Sequence, residues 1–116
     1  MSALRIKDRD LIEHILGYCH EINETIERFG DSYDVFINDR DYIKSVSMSV
    51  FQITELSGHL ATEVKQESPI LKWDLIRGMR NRFAHGYSDM DYDTIWDTAK
   101  NDIPDVLAFC NSILRE

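Results

Sequence analysis

Glycine and proline are scarce in this chain, at five and two residues of 116, which leaves little material for turn-rich β architectures. Cysteine is nearly absent. Cys19 and Cys110 stand far apart with no CxxC pair, and they read as two small buried apolar side chains kept reduced, a disulfide being the alternative. Long apolar runs are missing as well: no stretch approaches the roughly 18 uncharged residues that a membrane span needs, and the first ten residues are charged rather than signal-like. A soluble cytoplasmic protein is the expectation. Positive charge is the last deficit. Thirteen Lys and Arg against 21 Asp and Glu leave a formal charge of −8, which argues against a general nucleic-acid coat, because nonspecific affinity comes from cations that neutralise phosphates. Any contact with RNA must be local.

What is present is ordinary for a soluble helical protein, with 43% hydrophobic and 29% charged residues. The length suits one cooperative unit that holds a core without staples, so residues 1–116 are expected to form a single helical domain. Apolar positions from Leu11 run through Ile15, Cys19, Ile22, Ile26 and Phe29, in the fours and threes of one helix face. Asp8 or Asp10 is expected to cap that helix and Gly30 to end it. Residues 31–40 read as a connection with one short helical turn. A second helix is expected from Asp41, its core face running Val46, Val50, Ile53, Ser57, Leu60 and Val64. Ser68-Pro69 breaks the chain. A third helix follows from about Asp74, with Leu75, Ile76, Met79 and Phe83 as its apolar positions and Gly86 as its end. The final stripe is Ile95, Trp96, Ala99, Ile103, Val106, Cys110 and Ile113, and Pro104 inside it predicts a kink or two abutting helices near Asp102. The expected fold is an all-α antiparallel four-helix bundle with a kinked or split last helix.

The densest chemistry is Arg77-Gly78-Met79-Arg80-Asn81-Arg82-Phe83-Ala84-His85-Gly86-Tyr87, a cationic island in an acidic chain. Asn81 and His85 stand four apart on one helix face with Arg77 a turn earlier. Arg80 lies about 140° around the helix from His85, and the two converge only if the helix frays at Gly86. RNA cleavage needs these residue types. A guanidinium grips a phosphate bidentately and stabilises the extra charge of the transition state; an imidazole titrating near neutrality moves the proton of the ribose 2′-hydroxyl or of the leaving 5′-oxygen; an amide orients either group. No metal is demanded. The alternative is plain helix chemistry, since cationic side chains in a last turn are favoured by the helix dipole and the unpaired carbonyls, and Tyr87 would then be a packing residue with a polar tip.

Arg80-x4-His85-x-Tyr87, with Asn81 directly after the arginine, resembles the RX4HXY signature of the HepT toxins, one branch of the HEPN superfamily of helical ribonucleases. The likeness extends through Trp73, residues 76–79 and residues 91–97, and more faintly through the first helix and Ile53-Thr54-Glu55. One departure is Lys72, where the family commonly has a proline before the tryptophan. The resemblance implies an endoribonuclease toxin with Arg80, Asn81 and His85 catalytic; the residues themselves call for a metal-independent reaction, with Arg77 and Arg82 contacting RNA. It implies a homodimer in which two motifs face each other across a composite cleft, concentrating six arginines of the acidic protein in one place. A partner is also implied: an MntA-like nucleotidyltransferase antitoxin that silences the toxin by attaching AMP to Tyr87. A non-catalytic helical subunit of such a nucleotidyltransferase complex is the alternative, and a structural dimer module with its cations salt-bridged away from solvent is a third.

Other motifs are weaker. Asp89-x-Asp91-x-Asp93 opens like a calcium loop but has Thr94 and Lys100 where Gly and Glu are needed, so these aspartates are expected to cap the final helix. His14, His20 and His59 lack zinc spacing, and no other cofactor is indicated. Trp73 and Trp96 read as core before base-stacking residues. Glu55 either faces the motif or is a solvated carboxylate.

Overall fold

The computed structural model describes residues 4–68, 71–84 and 91–115. All regular structure among them is helical, in the order α1 (Ile6–Phe29), α2 (Tyr33–Ile37), α3 (Arg40–Ser57), α4 (Thr62–Gln66), α5 (Trp73–Ala84), α6 (Tyr92–Asp97), a π-helical turn (Thr98–Asp102) and α7 (Ile103–Leu114). The expected helical bundle with a split last helix is what forms, built from α1, α3, α5 and the composite C-terminal helix. Two short helices, α2 and α4, join them.

The core is assembled from the apolar stripes. Ile12, Ile15, Cys19 and Ile22 of α1, Val46, Val50 and Ile53 of α3, and Val106, Cys110 and Ile113 of α7 are all buried, and both α1 and α3 contribute to the same cluster as α7. Each such aliphatic side chain contributes about 1.5–3 kcal/mol on leaving water. This burial outweighs the weak helix preference of the β-branched residues in α3. Cys19 and Cys110 are free thiols; burial pushes both up to about 12, so neither is ionised or reactive at neutral pH. Gly30, at φ 117°, donates its N–H to Ile26 O and ends α1, a backbone conformation that other residues adopt at a cost.

An aromatic cluster closes one end. Phe36 of α2 is fully buried and packs edge-on against Tyr42 at 5.2 Å and tilted against Trp96 at 5.0 Å between centroids. Trp73, at the start of α5, meets Phe109 of α7 edge-on at 5.5 Å. Both tryptophans thus serve packing, as edge-on aromatic geometry favours. The C-terminal helix is interrupted where Pro104 predicts it. Proline lacks the N–H of a regular turn, and the chain passes through a π-turn in which Ile103 N–H reaches Thr98 O. Asp91 caps α6 by accepting from Asp93 N–H, as expected; Asp89 lies outside the described residues.

Several expectations are corrected. The second helix does not continue to Val64: α3 ends at Ser57, a turn through Gly58 follows, and α4 carries Val64 separately. Leu60 and Val64 are still buried, so the apolar stripe was real but bends. Leu75 is 63% exposed, because α5 rests on the core through Met79 and Phe83 instead. Pro69 and Gly86, the expected helix breakers around α5, lie outside the described residues.

Asp8 is not a cap. The helix begins at Ile6 with Arg5 before it, and Asp8 is buried at 1% exposure. One carboxylate oxygen accepts from Arg5 Nε at 2.6 Å and the other from Ala61 N–H at 3.1 Å. The bond to Ala61, 53 residues away, ties α1 to the turn that separates α3 from α4. The Arg5 hydrogen bond outweighs the desolvation and holds the Asp8 carboxyl below its ordinary value. Because the folded value is depressed, this stabilisation is present above the unfolded value of about 3.9 and is lost as pH falls through the lower folded one. Asp8→Asn should lower unfolding stability by about 1–3 kcal/mol at neutral pH. In urea titrations the gap to the native chain should narrow progressively as pH falls below the unfolded value of about 3.9; a gap that stays constant on acidification would mean the carboxylate charge is not what holds the turn.

Candidate functional site on α5

The sequence places the cationic island on α5, and the helix turns its residues to different sides. At about 100° per residue, Arg77 and Arg80 lie on adjoining positions of one side with Asn81 beside them, whereas Arg82 falls about 200° from Arg80. The described part of the helix therefore brings Arg77, Arg80 and Asn81 together and does not bring Arg82 to them. Asn81 and Arg82 are both exposed. His85 and Tyr87 lie outside the described residues.

Two of the arginines have carboxylate partners. Arg77 Nη2 donates to Asp74 Oδ1 at 3.0 Å within the same helix, a pair almost wholly in solvent, which binds weakly and yields readily to a competing anion. Arg80 is held differently. Its Nε–H donates to Glu55 Oε1 on α3 at 3.0 Å, with the two side chains 38% and 34% exposed. The guanidinium also lies against Gly58, where an added methyl group would stand 3.4 Å from Nη1. Gly58, just after α3, thus lies beneath the guanidinium at ordinary contact distance. Glu55 engages the Nε edge and fixes the plane of the group, and among the described residues no ion pair uses its two Nη nitrogens. A half-exposed guanidinium held by one edge can grip a phosphate with the other.

The geometry favours one of the two readings of Glu55: it faces the motif. The role of Gly58 had no signal in the sequence, because nothing in a local pattern tells which residue of α3 will lie under a side chain 22 positions later. Among the described residues no group of three His, Cys, Asp or Glu side chains stands close enough to hold a metal.

Comparison with known proteins bears on this surface. The family model described as "Ribonuclease HepT-like" matches residues 15–113, which include α5 and both flanking helices. The chain belongs to the HepT-like ribonuclease family. A provisionally named RNase of Caldanaerobacter subterraneus subsp. tengcongensis is 29% identical over 93% of this chain and 95% of its own. A provisionally named RNase of Methanocaldococcus jannaschii is 27% identical over 72% of each chain. A protein of Thermococcus cleftensis, whose name assigns it provisionally as ribonuclease HepT, is 27% identical over 75% of this chain and 84% of its own. No solved structure gives a significant match. In this HepT-like chain Arg80, the first residue of the Arg-x4-His pattern, lies on α5 and is held from the neighbouring helix by Glu55. No described helix is long and apolar enough to cross a membrane.

The half-exposed Arg80–Glu55 pair should matter little to folding. Glu55→Gln and Arg80→Ala should each unfold within about 1 kcal/mol of the native chain in urea; a larger loss would assign the pair to the core rather than to the site.

Proposed function

We propose that this HepT-like protein is a metal-independent endoribonuclease toxin that works as a homodimer. The observation that carries the reading is the Arg80 guanidinium, half exposed beside Asn81 and oriented by Glu55 through Nε, in a chain of a ribonuclease family. Arg80 would hold the scissile phosphate and offset the charge gained in the transition state. His85, five residues on in the sequence, would take the proton of the ribose 2′-hydroxyl as the O2′–P bond forms, or donate one to the 5′-oxygen as the P–O5′ bond breaks. Two protomers supply two imidazoles, so both transfers have a group to perform them. Asn81 would orient the phosphate, and Arg77 and Arg82 would contact the RNA backbone on either side.

Control would come from an MntA-like nucleotidyltransferase antitoxin. It would transfer AMP from ATP to the Tyr87 hydroxyl, forming a phosphodiester at the phenolic oxygen as pyrophosphate leaves. The physical rationale is position: an anionic adduct two residues from His85 would compete with RNA for the same arginines.

The test is RNA cleavage in chelator by protein of confirmed dimeric mass. His85→Ala and Arg80→Ala should each reduce the rate by about 100-fold or more. Glu55→Gln should lower kcat by roughly tenfold without raising KM, since it loosens the guanidinium while removing a negative charge from the path of RNA. No cleavage by native protein, with AMP on Tyr87 excluded by mass spectrometry, would instead support a non-catalytic helical subunit that binds a minimal nucleotidyltransferase.

A further inference from the structure

Helix α5 rests on the core through Met79 and Phe83 and is anchored by an aromatic residue near each end. Its first residue, Trp73, packs on Phe109 of α7, and Phe83 near its end packs on Phe51 of α3 at 5.2 Å. Between these anchors α5 diverges from the C-terminal helix, and a groove of about 580 Å³ opens. That volume is in the range of about 300–1,000 Å³ typical of small-molecule sites. The floor is apolar, made by Val50 and Ile53 of α3 with Met79 and Val106.

The two walls differ in charge. Gly78 and Arg82 of α5, with Lys72 just before it, form one wall, where Asp74 is already paired with Arg77; Asp97, Asn101, Asp102 and Asp105 of the C-terminal helix form the other, acidic one. The second wall includes the π-turn, a distortion that recurs at functional sites. Asp97 is already engaged, accepting from Asn101 Nδ2 at 2.6 Å. Asp102 is not: it is partly buried, and among the described residues no hydrogen bond to its carboxylate is found. Burial raises its pKa, only partly offset by Lys72. A partly buried carboxylate with no protein donor gains from a ligand that supplies one.

The groove and the candidate site share α5 but lie on opposite sides of it. Gly78 and Arg82 line the groove from the helix that carries Arg80 and Asn81, on the side away from Glu55. A single-stranded RNA whose phosphate sits at Arg80 must therefore cross α5, about 10–12 Å wide, to place a nearby base in the groove. Unstacked bases in such RNA are read on their Watson–Crick edges by side chains. Of the four edges, guanine alone presents two adjacent N–H donors, at N1 and N2. Adenine and cytosine put an acceptor beside their amino group, and uracil flanks its one N–H with two carbonyls, so a carboxylate is repelled by part of each.

We propose that the groove between α5 and the C-terminal helix is a base-specificity subsite for guanine, with the Asp102 carboxylate accepting from N1–H and N2–H and Arg82 and Lys72 facing the phosphates. The inference rests on the ribonuclease reading and adds a substrate preference to it. It also assigns Arg82 to the subsite rather than to the scissile phosphate.

The experiment has two arms, both on the full chain. In the first, the four nucleoside 5′-monophosphates are titrated against native protein, Asp102→Asn and Gly78→Leu, with folding checked by melting. A side chain on Gly78 meets no atom within 4 Å of its Cβ position and favours the helix, so leucine fills the groove without disturbing the fold. The expected result is that GMP binds native protein roughly tenfold or more tighter than the other three, and that each variant abolishes the difference. In the second arm, cleavage products are mapped on RNA of mixed sequence. Native protein should cut beside guanine, and Asp102→Asn should cut with that preference flattened. Equal binding of all four nucleotides, or a GMP preference that survives both variants, would overturn the subsite. Cleavage without base preference would overturn it too while leaving the ribonuclease reading intact. GMP selectivity that depends on Asp102 in a protein that cleaves nothing would support the subsite and refute the ribonuclease reading.

Discussion

Everything in this fold depends on the burial of α3 between its neighbours. Val46, Val50 and Ile53 join it to the core cluster with α1 and α7, and it also receives α5, α2 and α6. Because one helix serves all these contacts, the position of α5 is set by the core and not by its own sequence. Met79 and Phe83 dock it, and their docking determines which of its remaining residues face solvent, which face α3 and which overlook the groove.

That arrangement resolves an electrostatic difficulty. An acidic chain needs a local cation to meet a phosphate, yet a bare guanidinium on a flexible stem is poorly oriented. Glu55 reconciles the two requirements. It cancels part of the charge of Arg80 but holds Nε at 3.0 Å, so that less motion is lost when an anion binds. The cost in net attraction is modest because both groups remain about one third exposed and solvent screens them. Asp8 shows the contrasting case. There a carboxylate is buried and hydrogen-bonded through both oxygens, and its work is to hold a turn in place.

The helices were legible because their stripes were long. Ile15 to Ile26 in α1 and Ile103 to Ile113 in α7 follow the helical period over several turns, and those residues are buried. Pro104 marked the interruption of the last helix, since a missing N–H is a local property. Leu75 misled, because periodicity tells that a helix has an apolar side but not how wide a surface awaits it. The break at Gly58 was hidden for a similar reason: Leu60 and Val64 keep the spacing of one helix while the backbone turns between them. Asp8 looked like a cap from its place before an apolar run, and its true partner lies 53 residues away.

By itself the sequence determined the helical class, the main apolar stripes and the clustering of arginines, asparagine and histidine in residues 77–85, because these are properties of spacing along one chain. It also carried the family signature, since a motif is a local pattern. The tertiary structure alone decided that Glu55 would meet Arg80, that Gly58 would lie beneath it, that Arg82 would turn away to a groove, and that Asp102 would face that groove. Each of these joins residues at least 20 positions apart. Such contacts are fixed by how helices pack around a shared core, and packing is decided by the shapes of all the partners together.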